Sequence, residues 1–449
     1  MNSVSKISLV IMVLAAWTAP SPLRAAASTP LSKADAKAYS AALQAATKGN
    51  WETANRRAAR ISGDLPKKLL RWMELSSRGT LRTFFDISNF VLQNPDWPRR
   101  GTLRRRAEEA LDQRVSNAEA LKWFKAYPPL TSDGHIHLVE AVVANGPTDR
   151  ARKLVRETWT KINFGRKRER QFLRTYRKYL STSDHRARLN RLLWDGQISR
   201  AQRVMRLVDK DTQKLAMARI ALRAKRGGVD WHMRRVPKSM HNDPGLIFER
   251  ARWRRRKGRD NDAYDLLKAV PPDAPNAQKW WVERSIIARR LLAKGHISEA
   301  YRLAKANGLS TGARFVEAEW FAGWIALRHL NEPKVARTHF DRIGARVSYP
   351  ISRARAAYWA GRAADAAGDR EAADTLFNAA SQHGTTYYGQ LAAARRNGNV
   401  SLRSADVEPT ATEIAAFGRD ERVRAVRILS QVRAREHVRP FMYSLVRHS

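Results

Sequence analysis

The sequence predicts an all-α fold, a solenoid of stacked helix pairs. Gly and Pro, the residues that most often interrupt helices, number only 23 and 18 among 449 residues, which favours helix over most of the chain. Hydrophobic residues make up 43% of the chain, enough to bury a core and to exclude a fully disordered protein. A short repeated motif indicates that the helices come in pairs.

The first residues have the features of a secretory signal peptide. Lys6 is followed by a short apolar run over residues 7–17, and Ala25, Ala26 and Ala27 supply the small side chains that a signal peptidase accepts. We therefore expect a signal peptide over residues 1–27 and an exported mature chain. The alternative is an uncleaved anchor, although the run is short for a bilayer span. No later stretch is long and apolar enough for a membrane helix, so no membrane span is expected.

The repeated motif is a glycine or asparagine followed by an alanine five residues later. Its six copies are Gly49/Ala54, Gly196/Ala201, Gly258/Ala263, Gly295/Ala300, Asn331/Ala336 and Gly368/Ala373. The last four copies follow one another at intervals of 37, 36 and 37 residues. This period is close to the roughly 34 residues of tetratricopeptide repeats, which are helix pairs. The motif therefore predicts a TPR-like stack of helix pairs.

Each part of the motif has a structural reason. Gly or Asn tolerates the left-handed conformation that ends a helix, and the small alanine lets two helices approach closely. Four residues that follow these turns are expected to cap the next helices: Ser199, Asp260, Ser298 and Asp369. A single pair cannot bury its apolar face alone, so neighbouring pairs are expected to stack into an α-superhelix.

Turn-forming residues mark the expected connections. Proline stretches such as residues 127–129 and 270–272 are expected to be loops between helices. Residues 396–409 combine Asn, Gly and Pro without an apolar helical pattern and form the predicted linker. The superhelix is thus expected to span residues 28–395, and helical periodicity resumes from 410 to 449.

The composition is strongly basic, with 84 Lys and Arg against 42 Asp and Glu and a formal net charge of +42. Such a chain is attracted to polyanions, which include nucleic acid, anionic lipid and acidic polymers. Export argues against nucleic acid, so no nucleic-acid partner is expected. The alternative is that the charge is simply spread over solvated helix faces. The basic runs at 166–170 and 252–257 would encircle a helix rather than form one patch, and we expect them to be solvated.

Motifs that carry chemistry are sparse. The chain has no cysteine, which excludes disulfides, thiolate metal sites and cysteine nucleophiles. His135 and His137 could suggest a metal pair, but alternate residues point together only on a strand, and this segment is expected near a loop between helices. No catalytic, cofactor-binding or metal-binding residue is assigned, and no cofactor is expected.

Five stretches carry aromatic, proline and small residues in a fixed order along the chain. They are NPDWP at 94–98 with LRRRAE at 103–108, WF at 123–124 with YPPLT at 127–131 and Gly134, LLWDG at 192–196, AAYWAGR at 356–362, and TYYGQLA at 386–392. Taken in this order, the stretches resemble the soluble lytic murein transglycosylases of Gram-negative bacteria. The resemblance covers nearly the whole chain after residue 27.

The resemblance implies a periplasmic protein with a long α-superhelix that closes into a ring. A small helical linker domain follows the superhelix in that family, and a lysozyme-like catalytic domain comes last. Residues 28–395 correspond to the superhelix, and residues 410–449 correspond to the start of the linker domain, truncated in this chain. The family's catalytic glutamate lies in a Glu-Ser-x-Phe motif that does not occur here, so whether the chain is an enzyme stays open.

Two functions follow as expectations. The first is a peptidoglycan-associated protein, the non-catalytic part of a soluble lytic murein transglycosylase, whose partners are peptidoglycan glycan strands. The reaction of that family cleaves the MurNAc-GlcNAc bond without water and leaves 1,6-anhydroMurNAc ends. The second is a periplasmic helical-repeat scaffold that binds a protein partner, as helical repeats commonly do.

Overall fold

Helices form all the regular structure of the residues that the computed structural model describes, which are 30–224, 227–397 and 409–447. The expected signal peptide and most of the expected linker lie outside these residues. The described ranges contain 25 α-helices and two short 3-10 helices, Arg177–Tyr179 and Lys238–Met240, so the all-α prediction is confirmed. None of these helices is long and apolar enough to cross a membrane.

Contacts divide the chain into two compact units. The first unit consists of Met1–Leu180 together with Ala405–Ser449, and the second consists of Ser181–Ser404. The domain boundaries expected from the sequence, after residues 27, 395 and 409, stay predictions, and the observed division falls after Leu180.

The first unit contains twelve of the described helices. They are α1 (Lys33–Thr47), α2 (Trp51–Ala59), α3 (Leu65–Ser76), α4 (Phe84–Gln93), α5 (Arg100–Glu109), α6 (Asn117–Ala126), α7 (Ser132–Val143), α8 (Asp149–Lys161) and α9 (Arg166–Tyr176), and, near the other end of the chain, α23 (Ala411–Arg419), α24 (Glu421–Gln431) and α25 (Arg435–Arg447).

The last helices of the first unit pack on helices near its beginning. The ring centroids of Trp72 on α3 and Phe441 on α25 lie 4.9 Å apart, and the ring of Trp97 lies 5.4 Å from that of Phe441. Glu421, the first residue of α24, accepts hydrogen bonds from Lys68 Nζ at 2.8 Å and from Trp97 Nε1 at 2.9 Å. The tryptophan of the NPDWP stretch therefore belongs to this contact.

Hydrogen bonds also join the two sequence ends of the first unit. The side chain of Gln431 accepts a bond from Leu31 N at 3.1 Å and donates one to Leu31 O at 2.9 Å. The side-chain amide of Gln431 thus pairs with both the N–H and the carbonyl of Leu31, which lies 400 residues earlier in the sequence.

The second unit contains the other thirteen described helices. They are α10 (Thr182–Trp194), α11 (Ile198–Met205), α12 (Lys210–Ala224), α13 (Val229–Arg234), α14 (Pro244–Arg256), α15 (Asp260–Lys268), α16 (Ala277–Ala293), α17 (Ile297–Lys305), α18 (Gly312–Arg328), α19 (Pro333–Gly344), α20 (Pro350–Ala366), α21 (Arg370–Ser381) and α22 (Tyr387–Asn397).

Helices α14 to α21 form four successive contacting pairs, and the first helix of each pair also contacts the first helix of the next pair. In two pairs, a ring of the second helix lies against a glycine of the first. A Cβ at Gly323 would come within 2.7 Å of Phe340, and one at Gly361 within 2.9 Å of Phe377. The glycines let the paired helices approach closely, and the stack of pairs is the predicted solenoid arrangement.

The structure confirms both parts of the repeated motif. The five glycines and Asn331 all have left-handed backbone conformations, with φ between 54° and 84°. All six alanines are buried, with relative exposures of 0–4%. The motif therefore marks the turn inside each pair and the point where the second helix packs.

Three of the four expected helix caps are wrong. Only Asp369 caps its helix, by accepting a bond from Ala372 N at 3.0 Å. The next helix begins two residues after each of these glycines. Asp369 lies one residue after its glycine, at the cap position, whereas Ser199, Asp260 and Ser298 lie two or three residues after theirs and are inside their helices. Asp260 instead pairs with side chains of the next helix pair.

Candidate ligand groove

The two histidines singled out in the sequence lie on α7, and no third ligand joins them. His137 Nδ1 is 3.1 Å from Glu140 Oε2, and burial lowers the pKa of His135. Within the described ranges, no three His, Cys, Asp or Glu side chains are arranged to hold a metal ion.

The two basic runs behave differently. The basic side chains at 166–170 are exposed, in agreement with the expectation of a solvated face. The arginines at 252–257 are half-buried, and two of them reach the next helix pair: Arg252 Nε lies 3.6 Å from Glu283, and Arg255 Nη2 donates to Glu283 at 3.2 Å. The expectation is wrong for this run, because a carboxylate of α16 lies within reach of α14.

A groove of about 490 Å³ opens in the second unit between α14, the end of α15 and the loop that leads to α16. Its walls are mainly apolar and include Ile247, Leu266, Pro271 and Pro275. Two opposite charges, Arg250 and Asp273, stand among them. Concave sites with apolar walls and a few fixed polar groups are typical of small-ligand binding.

Arg250 is the positive charge of the groove. It lies three residues beyond Ile247 on α14, so both side chains share one face of the helix. Among the described residues, its guanidinium has no hydrogen-bond, ion-pair or aromatic partner. Burial, and then the neighbouring Arg254, lower the pKa of Arg250, but an arginine stays charged at neutral pH. This half-buried charge is therefore available to an external carboxylate.

Contacts beneath α14 hold this helix in place. Asp243 caps α14 by accepting a bond from Leu246 N at 2.8 Å, and the same carboxylate lies 3.6 Å from Arg219 Nη1. Arg219 is only 3% exposed, and a Cβ at Gly245 would come within 2.1 Å of its guanidinium carbon. The first turn of α14 thus rests directly on a buried guanidinium, which limits the movement of the helix that carries Arg250.

The loop that carries Asp273 is anchored on both sides. Arg284 Nη2 donates to Val270 O at 2.6 Å before the loop, and Trp280 Nε1 donates to Pro275 O at 3.0 Å after it. Prolines within the loop restrict its backbone further. Asp273 is exposed and has no hydrogen-bond or ion-pair partner in the described part of the chain. The negative charge of the groove is therefore held in position by the loop and not by a counter-ion.

A second polar cluster is buried in the second unit around Glu319. This carboxylate accepts a bond from Asn307 Nδ2 at 2.8 Å and lies 2.8 Å from His339 Nδ1, while His339 Nε2 lies 3.1 Å from the hydroxyl of Tyr301. A carboxylate only accepts, so Nδ1 carries a proton and donates to Glu319. Each of these hydrogen-bonded side chains has a partner within the cluster, as is typical of a buried polar network with a structural role.

Sequence reasoning predicted the loop at 270–272 but not the groove beside it. The available signal was an acidic residue within a proline-rich loop, next to an arginine-rich helix. That pattern does not indicate which arginine lacks a partner, because the partners lie on neighbouring helix pairs.

No family model and no curated protein sequence matches the chain. Among solved structures, the chain is similar to the 70 kDa soluble lytic transglycosylase of Escherichia coli, with 15% identity over 92% of this chain and a TM-score of 0.47. It is similar to the same kind of enzyme in complex with bulgecin A, with 14% identity and a TM-score of 0.46. It is also similar to the Cut9–Hcn1 hetero-tetramer, with 13% identity over 92% of this chain and 89% of that one, and a TM-score of 0.23.

The chain spans 65% of the length of the two transglycosylase chains. At these identities, the similarity concerns the helical fold alone.

Proposed function

We propose that this chain is a periplasmic peptidoglycan-binding protein that acts as the non-catalytic helical part of a lytic-transglycosylase-like system. The observation that carries the proposal is uncompensated positive charge. Basic residues number 84 and acidic residues 42, so half of the basic side chains have no acidic partner of their own in the chain. The peptide stems of peptidoglycan carry carboxylates, and opposite charge concentrates such a polymer on the protein.

Exposed arginines without ion pairs show where this charge is available. Arg234, Arg328 and Arg353 are exposed, and none of them has an ion pair among the described residues. They lie on three helices of the second unit, α13, α18 and α20. A stack of helix pairs thus offers separate positive charges to a long polymer, which suits a substrate of repeating units.

The leader-like residues 1–27 support export to the compartment that contains peptidoglycan. The resemblance to lytic transglycosylases supports the same polymer. Since the Glu-Ser-x-Phe motif does not occur in this sequence, the proposed role is to bind the polymer and not to cleave it. Release of 1,6-anhydro-muropeptides from sacculi by the purified chain would contradict this part of the proposal.

Co-sedimentation with purified sacculi tests the binding. We expect the bound fraction to fall steeply as NaCl is raised from about 50 mM to about 500 mM, because salt screens exposed charges. Sacculi whose carboxyl groups have been amidated serve as the matched control and are expected to bind poorly at every salt concentration.

Binding that does not respond to salt, or equal binding to amidated sacculi, would refute the charge-based proposal. If sacculi do not bind at all and a defined periplasmic protein binds stoichiometrically, the scaffold alternative is correct instead.

A further inference from the structure

We infer that the groove beside α14 is a binding site for a short peptide that carries both a carboxylate and an ammonium group, with Arg250 taking the carboxylate and Asp273 taking the ammonium. The inference builds on the proposed function, since it assigns the peptide stem of peptidoglycan, and not the glycan, to this groove.

The two charges of the groove are the first argument. Arg250 is half-buried, and Asp273 lies on an exposed, anchored loop, yet neither pairs with the other or with any other described side chain. The other arginines on α14 differ, since Arg252 and Arg255 pair with Glu283. An unpaired guanidinium at the wall of an apolar groove offers a planar fork that fits a carboxylate with two hydrogen bonds.

The shape and lining of the groove are the second argument. Its volume of about 490 Å³ falls within the range of roughly 300–1,000 Å³ found for small-ligand sites. Ile247, Leu266 and Pro271 give it apolar walls, which suit the small methyl and methylene groups of a peptide stem. The groove is thus apolar with a positive and a negative charge, which matches a zwitterionic peptide.

The same lining argues against two other ligands. Sugar rings stack on exposed aromatic faces, but the one aromatic ring of the lining that could serve, Trp280, is only 1% exposed. Phosphate groups are bound by several converging donors, whereas this groove holds Asp273, whose charge repels an anion. A peptide with both charges satisfies both side chains.

His241 adds an acceptor at the rim of the groove. Its Nε2 lies 3.1 Å from the carbonyl oxygen of Val236. A carbonyl only accepts, so Nε2 carries a proton, and in the neutral tautomer that makes this bond Nδ1 is an acceptor for a peptide N–H or an ammonium group.

Calorimetric titration with a free stem tetrapeptide, L-Ala-γ-D-Glu-meso-diaminopimelyl-D-Ala, tests the site on the full chain. We expect Arg250→Gln to weaken binding by about tenfold or more, which is the scale of a lost charge-assisted hydrogen-bond pair. Arg370→Gln is the matched control, because it removes the same charge from an exposed position on α21, outside the groove, and is expected to leave the affinity unchanged. Ala269→Trp, which fills the rim of the groove, is expected to abolish binding.

Modified peptides assign each charge. If Arg250 holds the carboxylate, amidating the carboxyl groups weakens binding to the unmodified protein but not to Arg250→Gln. If Asp273 holds the amine, acetylating the amines weakens binding to the unmodified protein but not to Asp273→Asn. If modifying the peptide weakens binding equally in the unmodified protein and in the variant, the charge assigned to that residue is wrong. An unaltered thermal midpoint for each variant shows that it is folded.

Sacculus binding separates this inference from the proposed function. If sacculi bind with the expected salt dependence but the tetrapeptide does not bind, the groove inference fails and the proposed function stands. If the tetrapeptide binds through Arg250 but sacculi do not bind, the proposed function fails and the groove remains a peptide site. Binding of the peptide-free disaccharide in place of the tetrapeptide would overturn the inference.

Discussion

Glu319 shows how a single buried side chain contributes to the stability of the second unit. Its side chain is only 4% exposed, and it accepts hydrogen bonds from Asn307 and His339. Burial alone would raise the pKa of Glu319, but the hydrogen bonds from His339 and Asn307 outweigh it, so the pKa lies below the ordinary value of 4.5. The ionised carboxylate is therefore favoured in the folded protein, and it stabilises the fold above pH 4.5. This stabilisation is lost as the pH falls through the lowered pKa.

We expect Glu319→Gln to lower the free energy of unfolding by about 3 kcal/mol at pH 7, because it breaks a buried charged network. The difference between protein and variant should shrink as the pH falls below 4.5, where the unfolded chain takes up a proton at Glu319, and should vanish below the lowered pKa of Glu319 in the folded protein. Urea unfolding followed by circular dichroism at several pH values measures both effects.

Glu299→Gln is the control for this prediction. Glu299 is 41% exposed at its side chain, and a surface change of this kind is expected to stay within about 0.5 kcal/mol. A destabilisation by Glu319→Gln that stays the same from pH 7 to about pH 2, below the lowered pKa, would contradict the role given to the ionised carboxylate.

At the scale of elements, one buried carboxylate fixes the start of a helix in the first unit. Glu108 on α5 is fully buried and accepts bonds from Leu130 N at 2.9 Å and from Thr131 N at 2.7 Å, just before α7 begins. A Cβ at Gly134, in the first turn of α7, would come within 2.3 Å of the carboxylate of Glu108. The stretches at 103–108 and 127–134 are therefore joined by hydrogen bonds, and the missing side chain of Gly134 leaves room for the carboxylate of Glu108.

Gly134→Ala is expected to lower the free energy of unfolding by roughly 1–3 kcal/mol, because the added methyl group displaces a carboxylate that holds three hydrogen bonds. Gly101→Ala is the matched control on α5, where the nearest atom to an added Cβ is 3.8 Å away. There the higher helix propensity of alanine should stabilise the protein by about 0.5–1 kcal/mol. Urea unfolding of both variants measures the two effects, and equal signs would contradict the argument.

Helix pairs were predictable from the sequence because their cause is local. A left-handed glycine and a small residue five positions later determine a turn within a few residues, so Gly295 and Ala300 identify a pair without knowledge of its neighbours. The groove was not predictable, because it depends on which acidic side chains of the next pair reach α14. Glu283 reaches Arg255, which lies 28 residues earlier in the chain, and no described carboxylate reaches Arg250.

At the scale of the whole molecule, the two units differ in the continuity of their sequence. Four apolar cores of the second unit consist of residues within 194–392. The core of the first unit combines residues 31–141 with residues 425–441. The second unit is therefore one continuous stretch of chain, whereas the first unit is assembled from two separate stretches.

This difference can be measured on fragments. We expect a fragment of residues 181–404 to be helical and to unfold cooperatively by circular dichroism, because it contains four apolar cores. A fragment of residues 30–180 should bind a hydrophobic dye, because Trp72 and Trp97 lose the cover of Phe441. Adding a peptide of residues 405–449 should suppress the dye signal.

The same peptide with Phe441→Ala is the control for this experiment and should suppress the signal much less, since losing a buried phenylalanine costs about 3–5 kcal/mol. Equal suppression by both peptides would show that the aromatic contact is not what joins the two stretches.

The pairing of Leu31 with Gln431 has a consequence for biosynthesis, because Leu31 is translated long before its partner. At about 5–20 residues per second, a ribosome needs on the order of 10–45 s to translate the residues between Leu180 and Ala405. The residues of the second unit are all made in that interval, while the early helices of the first unit still lack their partners. The rings of Trp72 and Trp97 thus stay without the cover of Phe441 until that residue has been made.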